Sequence, residues 1–571
     1  MILNGKGASP GAAIGRIFIF SEKKIIPEER CVPSGEEQFQ LDRYIYVKNE
    51  AIQELGRLKS SMEKTDPAKA LIFDAHKEIV EDIIINDEIP SKILNERWTG
   101  DRAIYFVYET VMSIIRKTDD PHIAESALDF DDVRSLLLRI WFSGGNETLS
   151  VPDEPCIIAA KEFKPSDTAG IDKTKVIAIL TETGGITSHA AIIAKSFGIP
   201  AVFGIKGLLN SVRQGQTAAV NADEGTVILD PPENVINFYR KKCDSLRFDR
   251  EHAENFKYAD GRTSCGVKID IGLNIGNVND WELAEAACAD SVGVFRTEFI
   301  YMMRDSLPSE DEQFDIYRKV LECFGERPVI LRTLDIGGDK RIKSIDLPAE
   351  ENPFLGNRAL RFCFSNPGIF RTQIRACLRA SVYGNLWIMF PMVASLDDIR
   401  KAKEFVSSAC NELKKEGIPF NTFKTGIMIE IPSIALIADL AAKEVDFASI
   451  GSNDLCQYLC AADRMNSNVE GYYQSFHPAL LILLKKIISD FNYAGKPISF
   501  CGELGGDPLA VPLLIGLGMR KLSMGYASVA AVKRAAASVS VKKAEEIAAR
   551  ALEMGTAGEI EEYLRFNQIR I

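Results

Sequence analysis

No stretch of the chain is apolar for long enough to span a bilayer, and Met1 to Gly15 lacks the basic start and apolar run of a secretory signal. These absences argue against a membrane-spanning or secreted class and predict a cytoplasmic protein with no membrane partner. Positive charge is also short. The 68 Lys and Arg against 80 Asp and Glu leave a formal net charge of −12, which argues against a nucleic-acid surface and favours partners with a basic face. The 12 cysteines include no Cys-x-x-Cys pair, so neither a disulfide framework nor a zinc pattern is expected. Cys456 and Cys460, four apart on an expected helix, have no nearby histidine to complete a metal site. What remains is a soluble globular chain of 571 residues, long enough for three or four domains with buried cores.

What is present is a series of patterned stretches. Val176 to Leu180 reads as a short apolar strand, and Gly184-Gly185 as a turn that lets backbone approach a ligand closely. A helix with a small face follows through Ala190, Ala191, Ile193 and Ala194, capped by Thr187 or Ser188 and stopped by Gly198 and Pro200. His189 falls in its first turn. There the free N–H groups and the positive end of the helix dipole favour an anion, and neutral imidazole is a nucleophile. On residues alone His189 is either a capping helix residue or a phosphoryl carrier.

Ahead of this stretch, Ala8 to Gly11 form a turn and Ala13 to Ile19 a strand too small to bury itself. Between Glu36 and Gly144, apolar residues such as Leu71, Ile72, Ala75, Ile79, Val80 and Ile83 recur at three and four residue spacings, which two antiparallel helical pairs would explain. Gly215 to Asp230 alternates as two short strands around Asp223-Glu224-Gly225. Glu233 to Gly261 is charged and helical in character, a connector between domains.

From Cys265 onward, strand-like runs alternate with helical stretches about eight times, the pattern of a (β/α)8 barrel whose site lies at the C-terminal strand ends. The expected strands are Lys268–Ile275, Ser291–Phe295, Val329–Leu331, Trp387–Pro391, Thr425–Ile429, Phe447–Ile450, Pro497–Phe500 and Lys521–Ser523. After them come Arg296, Arg332, Glu430, Asn453-Asp454 and Cys501, with Arg358 and Arg464 on nearby loops. The arginines suit a small substrate bearing phosphate and carboxylate. Glu430 and Asp454 follow consecutive strands and converge either as a magnesium site or as salt-bridge partners of the arginines.

Thr183 to Gly204 resembles the phosphohistidine domain shared by enzyme I of the bacterial sugar phosphotransferase system, pyruvate phosphate dikinase and phosphoenolpyruvate synthase, through Gly-Gly-x-Thr-Ser-His-x-x-Ile-x-Ala and the later Ile-Pro-Ala-Val. Arg296-Thr297-Glu298-Phe299, the run Arg332 to Lys340, Asn352 to Gly356 and Ser499 to Asp507 are similar to enzyme I motifs in the same order. Asp74-Ala75-His76 and Asp131-Asp132-Val133-Arg134 match its helical domain, which the dikinase and synthase lack.

The resemblance implies a multidomain α/β protein. Residues 1–22 and 145–230 form a swivelling phosphohistidine domain, 23–144 an inserted helical domain that docks a small histidine phosphocarrier protein, 231–261 a linker, and 262–571 a barrel that binds phosphoenolpyruvate and dimerises. It implies that His189 takes the phosphoryl group from phosphoenolpyruvate and passes it to the carrier, with Mg²⁺ held by Glu430 and Asp454. Arg296, Arg332, Asn453 and Arg464 bind substrate, Cys501 protonates enolpyruvate to pyruvate, and Lys340 and Arg358 support the pocket. Thr168, in Lys164 to Ala169, either orients His189 or caps its turn. Ile186, Met303 and Asn357 depart from the family pattern and bear on the tuning of loop and pocket. A regulatory phosphoprotein that binds phosphoenolpyruvate without carrier turnover is the alternative.

Overall fold

The computed structural model describes residues 1–9, 11–20, 27–28, 30–63, 67–115, 121–143, 154–162, 175–183, 194, 198–276, 285–302, 304, 306–338, 345, 350–464, 466 and 468–568. They fall into two units, Met1–Phe248 and Asp249–Ile571, with the division inside the helix Glu233–Glu254. None of the described helices is long and apolar enough to cross a membrane.

The first unit holds an eight-stranded mixed sheet. Ala12–Phe20 lies at its centre, antiparallel to Thr217–Asn221 and parallel to Cys156–Ala160. The run Cys-Ile-Ile-Ala-Ala is buried at every position. Ile157 and Ala159 enter one core, Cys156, Ile158 and Ala160 another, as a strand covered on both faces requires. Thr217–Asn221 and Thr226–Leu229 pair antiparallel, as the alternation around Asp223-Glu224-Gly225 predicts.

In sequence, a helical bundle separates the parallel neighbours Ala12–Phe20 and Cys156–Ala160. Its described residues form five helices, Glu37–Glu63, Pro67–Val80, Ile83–Glu96, Gly100–Ile115 and Pro121–Ser143, where two antiparallel pairs were expected. The extra division has a local cause. The Asp82 side chain accepts a hydrogen bond from the Ile85 amide at 3.1 Å and starts a new helix, and Arg97 ends it in the left-handed region at φ 56°. Tyr44, Ile89, Ile104, Tyr108, Val133 and Trp141 are among the residues closing a core of its own.

The second unit is a closed barrel of eight parallel strands: Asp270–Ile275, Ser291–Arg296, Pro328–Arg332, Asn385–Phe390, Lys424–Ile429, Phe447–Ile450, Ile498–Phe500 and Lys521–Met524. All eight match the expected runs. Their period of two divides the side chains. On the fourth strand Leu386, Ile388 and Phe390 pack outward against the helices, whereas Trp387 and Met389 fill the interior with Val294, Ile330, Met428, Phe447 and Cys501. Gly426 is needed here, because a Cβ at that position would meet the Phe447 ring at 2.5 Å.

Candidate active site

The inward positions at the C-terminal strand ends are polar, and they meet in one buried network. Arg332 ends the third strand, pairs with Glu298, and places Nη1 3.1 Å from Asp335 Oδ2. Gly337 and Gly338, at φ 99° and 68°, turn the chain back behind Asp335; a Cβ on Gly337 would lie 3.1 Å from the Arg358 Cα. Arg358 is therefore brought against the same carboxylate, with Nε 3.1 Å from Asp335 Oδ1. Its Nη1 reaches Asp454 Oδ1 at 2.9 Å and Tyr458 Oη at 3.4 Å. Burial opposes both guanidinium charges, and the surrounding carboxylates more than offset it, holding both groups charged.

Glu430 follows the fifth strand and is fully buried. Its Oε1 accepts a hydrogen bond from the Met392 amide at 2.6 Å, while Oε2 has no partner among the described residues. Met392 is held at φ 54°, an uncommon region for a side chain of this kind, and so aims its N–H at the carboxylate. Burial, then the charges of Asp454 and Asp335, push the Glu430 carboxyl up to about 8 against the pull of Arg332 and Arg358. A buried carboxylate oxygen without a partner, beside a second carboxylate, fits a hard divalent cation. The described residues contain no cluster of three or more His, Cys, Asp or Glu able to hold a metal.

Asp454 lies in the first turn of the helix Ser452–Cys460 that follows the sixth strand. Besides Arg358 it faces Arg464 Nη1 at 3.7 Å. Asp454 is thus paired with arginines, whereas Glu430 Oε2 has no hydrogen-bond partner among the described residues. Asn453 Oδ1 accepts from the Glu503 amide at 3.1 Å, tying this helix to the loop after Cys501. The Cys501 thiol is buried and donates to the Ile450 carbonyl at 3.4 Å. Burial pushes it up to about 11, against the influence of Ser449, Arg332 and Arg296, so at neutral pH it carries its proton. Arg296 is exposed at the end of the second strand and has no ion-pair partner among the described residues.

The network brings together Arg332, Arg358, Glu430, Asp454, Arg464 and Cys501. His189, Thr168 and Lys340, with Ile186 and Met303, lie outside the described residues. Sequence reasoning gave no role to Glu298, Asp335 or Tyr458. The first two sit inside the motifs beginning at Arg296 and Arg332, and their signal was a carboxylate two or three residues past a strand-end arginine. In the helical bundle, His76 is buried with Nε2 3.3 Å from Asp129 Oδ1, and Arg134 pairs with Glu109 and Asp131. The His76–Asp129 and Arg134–Glu109 contacts each join two helices, whereas Arg134–Asp131 lies within one.

Three family models match the chain: the PEP-binding domain of PEP-utilising enzymes over residues 250–541, their mobile domain over 152–225 and their N-terminal domain over 4–125. A phosphoenolpyruvate-protein phosphotransferase of Staphylococcus carnosus is 39% identical over 569 residues, covering 99% of each chain. One from Geobacillus stearothermophilus is 38% identical over 567 residues, covering 99% of this chain and 97% of the relative. Among solved structures, an NMR solution structure of an Enzyme I protein covers 43% of this chain and 99% of its own, at 30% identity and a TM-score of 0.38.

Proposed function

Since the chain belongs to the family of PEP-utilising enzymes that includes the phosphoenolpyruvate-protein phosphotransferases, we propose that it moves the phosphoryl group of phosphoenolpyruvate to His189, then to a histidine of a small phosphocarrier protein, and releases pyruvate. The observation that carries this reading is the buried network at the strand ends, which holds arginines and an open carboxylate oxygen above a protonated thiol.

The guanidinium groups of Arg332 and Arg358 are fixed by Glu298, Asp335 and Asp454 before substrate arrives, so little reorganisation is required on binding. Arg296, exposed and without an ion-pair partner among the described residues, supplies a further cation for phosphate or carboxylate, and Asn453 and Arg464 complete the rim. Glu430 and Asp454 would hold magnesium with substrate oxygens and water, and the metal would neutralise charge as the phosphoryl group leaves. His189 attacks phosphorus, the bond from phosphorus to the enol oxygen breaks, and the oxygen keeps the electron pair. Cys501 then donates its proton to the methylene carbon, giving pyruvate.

In the same reading, residues 1–22 and 145–230 carry His189, residues 23–144 dock the carrier, 231–261 are the linker, and the 262–571 barrel binds phosphoenolpyruvate and dimerises. Thr168 orients His189, and Lys340 supports the pocket. The setting is cytoplasmic.

The test is to phosphorylate the protein with labelled phosphoenolpyruvate and magnesium, then add a small histidine phosphocarrier protein. Rapid, stoichiometric passage of label to the carrier is expected. Label retained on this chain against a panel of such carriers would favour the regulatory alternative.

A further inference from the structure

Arg358 is preceded by the loop Asn352 to Gly356, whose backbone groups are held by several side chains. Arg361 Nη1 donates to the Leu355 and Gly356 carbonyls at 2.9 and 3.1 Å, and Glu350 Oε1 accepts from the Asn357 amide at 3.0 Å. These partners are near in sequence. The Phe354 carbonyl is held from elsewhere in the barrel: Tyr458 Oη, on the helix Ser452–Cys460 after the sixth strand, donates to it at 2.6 Å.

Tyr458 follows Asp454 by four residues, one turn along the same helix face. With its proton committed to Phe354, the hydroxyl turns a lone pair to Arg358 Nη1, 3.4 Å away. The same Nη1 is 2.9 Å from Asp454 Oδ1, while Nε and Nη2 face Asp335 at 3.1 and 3.4 Å. Each nitrogen of Arg358 is thus engaged by a protein oxygen, so the group serves to hold two carboxylates. The Phe354 ring packs beside it, its centroid 5.7 Å from the Arg358 Cζ, and a Cβ on Gly338 would lie 3.2 Å from the Phe354 Cδ1. Tyr458 therefore bears on the guanidinium twice, through its own oxygen and through the residue that it ties down. Arg464, the other arginine facing Asp454, is farther away at 3.7 Å, which leaves Arg358 as the closer restraint on that carboxylate.

We propose that Tyr458 is a positioning residue of the phosphoenolpyruvate pocket: its hydroxyl ties the loop Asn352 to Gly356 to the helix Ser452–Cys460 and so fixes Arg358 and, through it, the Asp454 carboxylate. The inference rests on the reading of Asp454 as part of the substrate and metal site. A carboxylate already held in place loses less freedom when ligand arrives, so the tether shows itself in affinity.

The experiment measures phosphoenolpyruvate binding by calorimetry, with magnesium, in the full-length His189→Ala protein, where the reading above allows no turnover. Adding Tyr458→Phe, which keeps the half-buried ring and removes only the hydroxyl, is expected to raise Kd about tenfold. In an Asp454→Asn background the same change is expected to cost less than about twofold, because residues that act through one another are not additive. Without ligand, amide hydrogen exchange at Leu355 to Arg358 is expected to quicken in Tyr458→Phe, since the loop loses its tether. An unchanged Kd, with or without a lower Tm, an equal loss in both backgrounds, or unaltered exchange in the loop would each overturn the proposal. Asp454→Asn by itself keeps the underlying reading separate. If it binds phosphoenolpyruvate as tightly as its parent, the reading of the site fails and the positioning role falls with it; weakened binding there beside normal binding in Tyr458→Phe condemns the positioning role alone.

Discussion

Asp335 shows how one side chain can organise the barrel mouth. It is fully buried and lies against both Arg332 and Arg358, so each guanidinium is held by a carboxylate that has no other route to water. Removing one member of such a set leaves an uncompensated buried charge. Arg358→Met is therefore expected to destabilise the protein by about 3–5 kcal/mol, read from chemical denaturation, and Arg358→Lys to recover only part of this because an ammonium lacks the planar fork. A loss below about 1 kcal/mol would place Arg358 among ordinary exposed ion pairs.

Glu430 carries the pH dependence. Its carboxyl is raised from 4.5 to about 8 in the fold, so between these values the folded protein binds a proton that the unfolded chain has released. The stability this group contributes is complete below about pH 4.5 and is lost as pH rises through about 8. In the metal-free protein, Glu430→Gln should flatten the fall of Tm across that window. An unchanged slope would contradict the assignment.

At the scale of elements, periodicity was the informative signal where one face of an element is buried. The fourth strand announces itself because Leu386, Ile388 and Phe390 face the helices while Trp387 and Met389 face inward. The helical bundle was read one helix short, because a cap such as Asp82 divides a continuous apolar pattern without interrupting its spacing. In the site, Arg332, Glu430, Asp454 and Cys501 were legible as polar residues following apolar strands. Asp335 was not, since its role depends on the turn at Gly337-Gly338 and on Arg358, which is distant in sequence.

Two substitutions separate element stability from chemistry. Gly426→Ala puts a methyl group into the Phe447 ring, which sits 4.8 Å from Trp387 between ring centroids, and should cost about 1–3 kcal/mol through overpacking. Ser309→Ala removes the capping box of the helix Glu310–Phe324 and should cost about 1 kcal/mol with catalytic rates unchanged. Thermal denaturation with parallel assays of pyruvate release checks both.

At the scale of the whole molecule, the chain divides into a unit that contains residue 189 and a unit that contains the barrel site. A phosphohistidine that receives its group at one surface and delivers it at another must move between them, and a linker is the device that permits this. A reversible crosslink between the units should abolish repeated transfer to a carrier and release it on cleavage; undiminished turnover in the crosslinked protein would contradict the swivelling account.

The central claim is the phosphohistidine itself. Purified protein and a His189→Ala variant, each incubated with magnesium and phosphoenolpyruvate labelled in the phosphoryl group, should differ in one respect. The unaltered chain should acquire acid-labile label with an equivalent of pyruvate released, and the variant neither. Equal labelling of both proteins, or none on the unaltered chain while phosphoenolpyruvate is bound, would contradict the account.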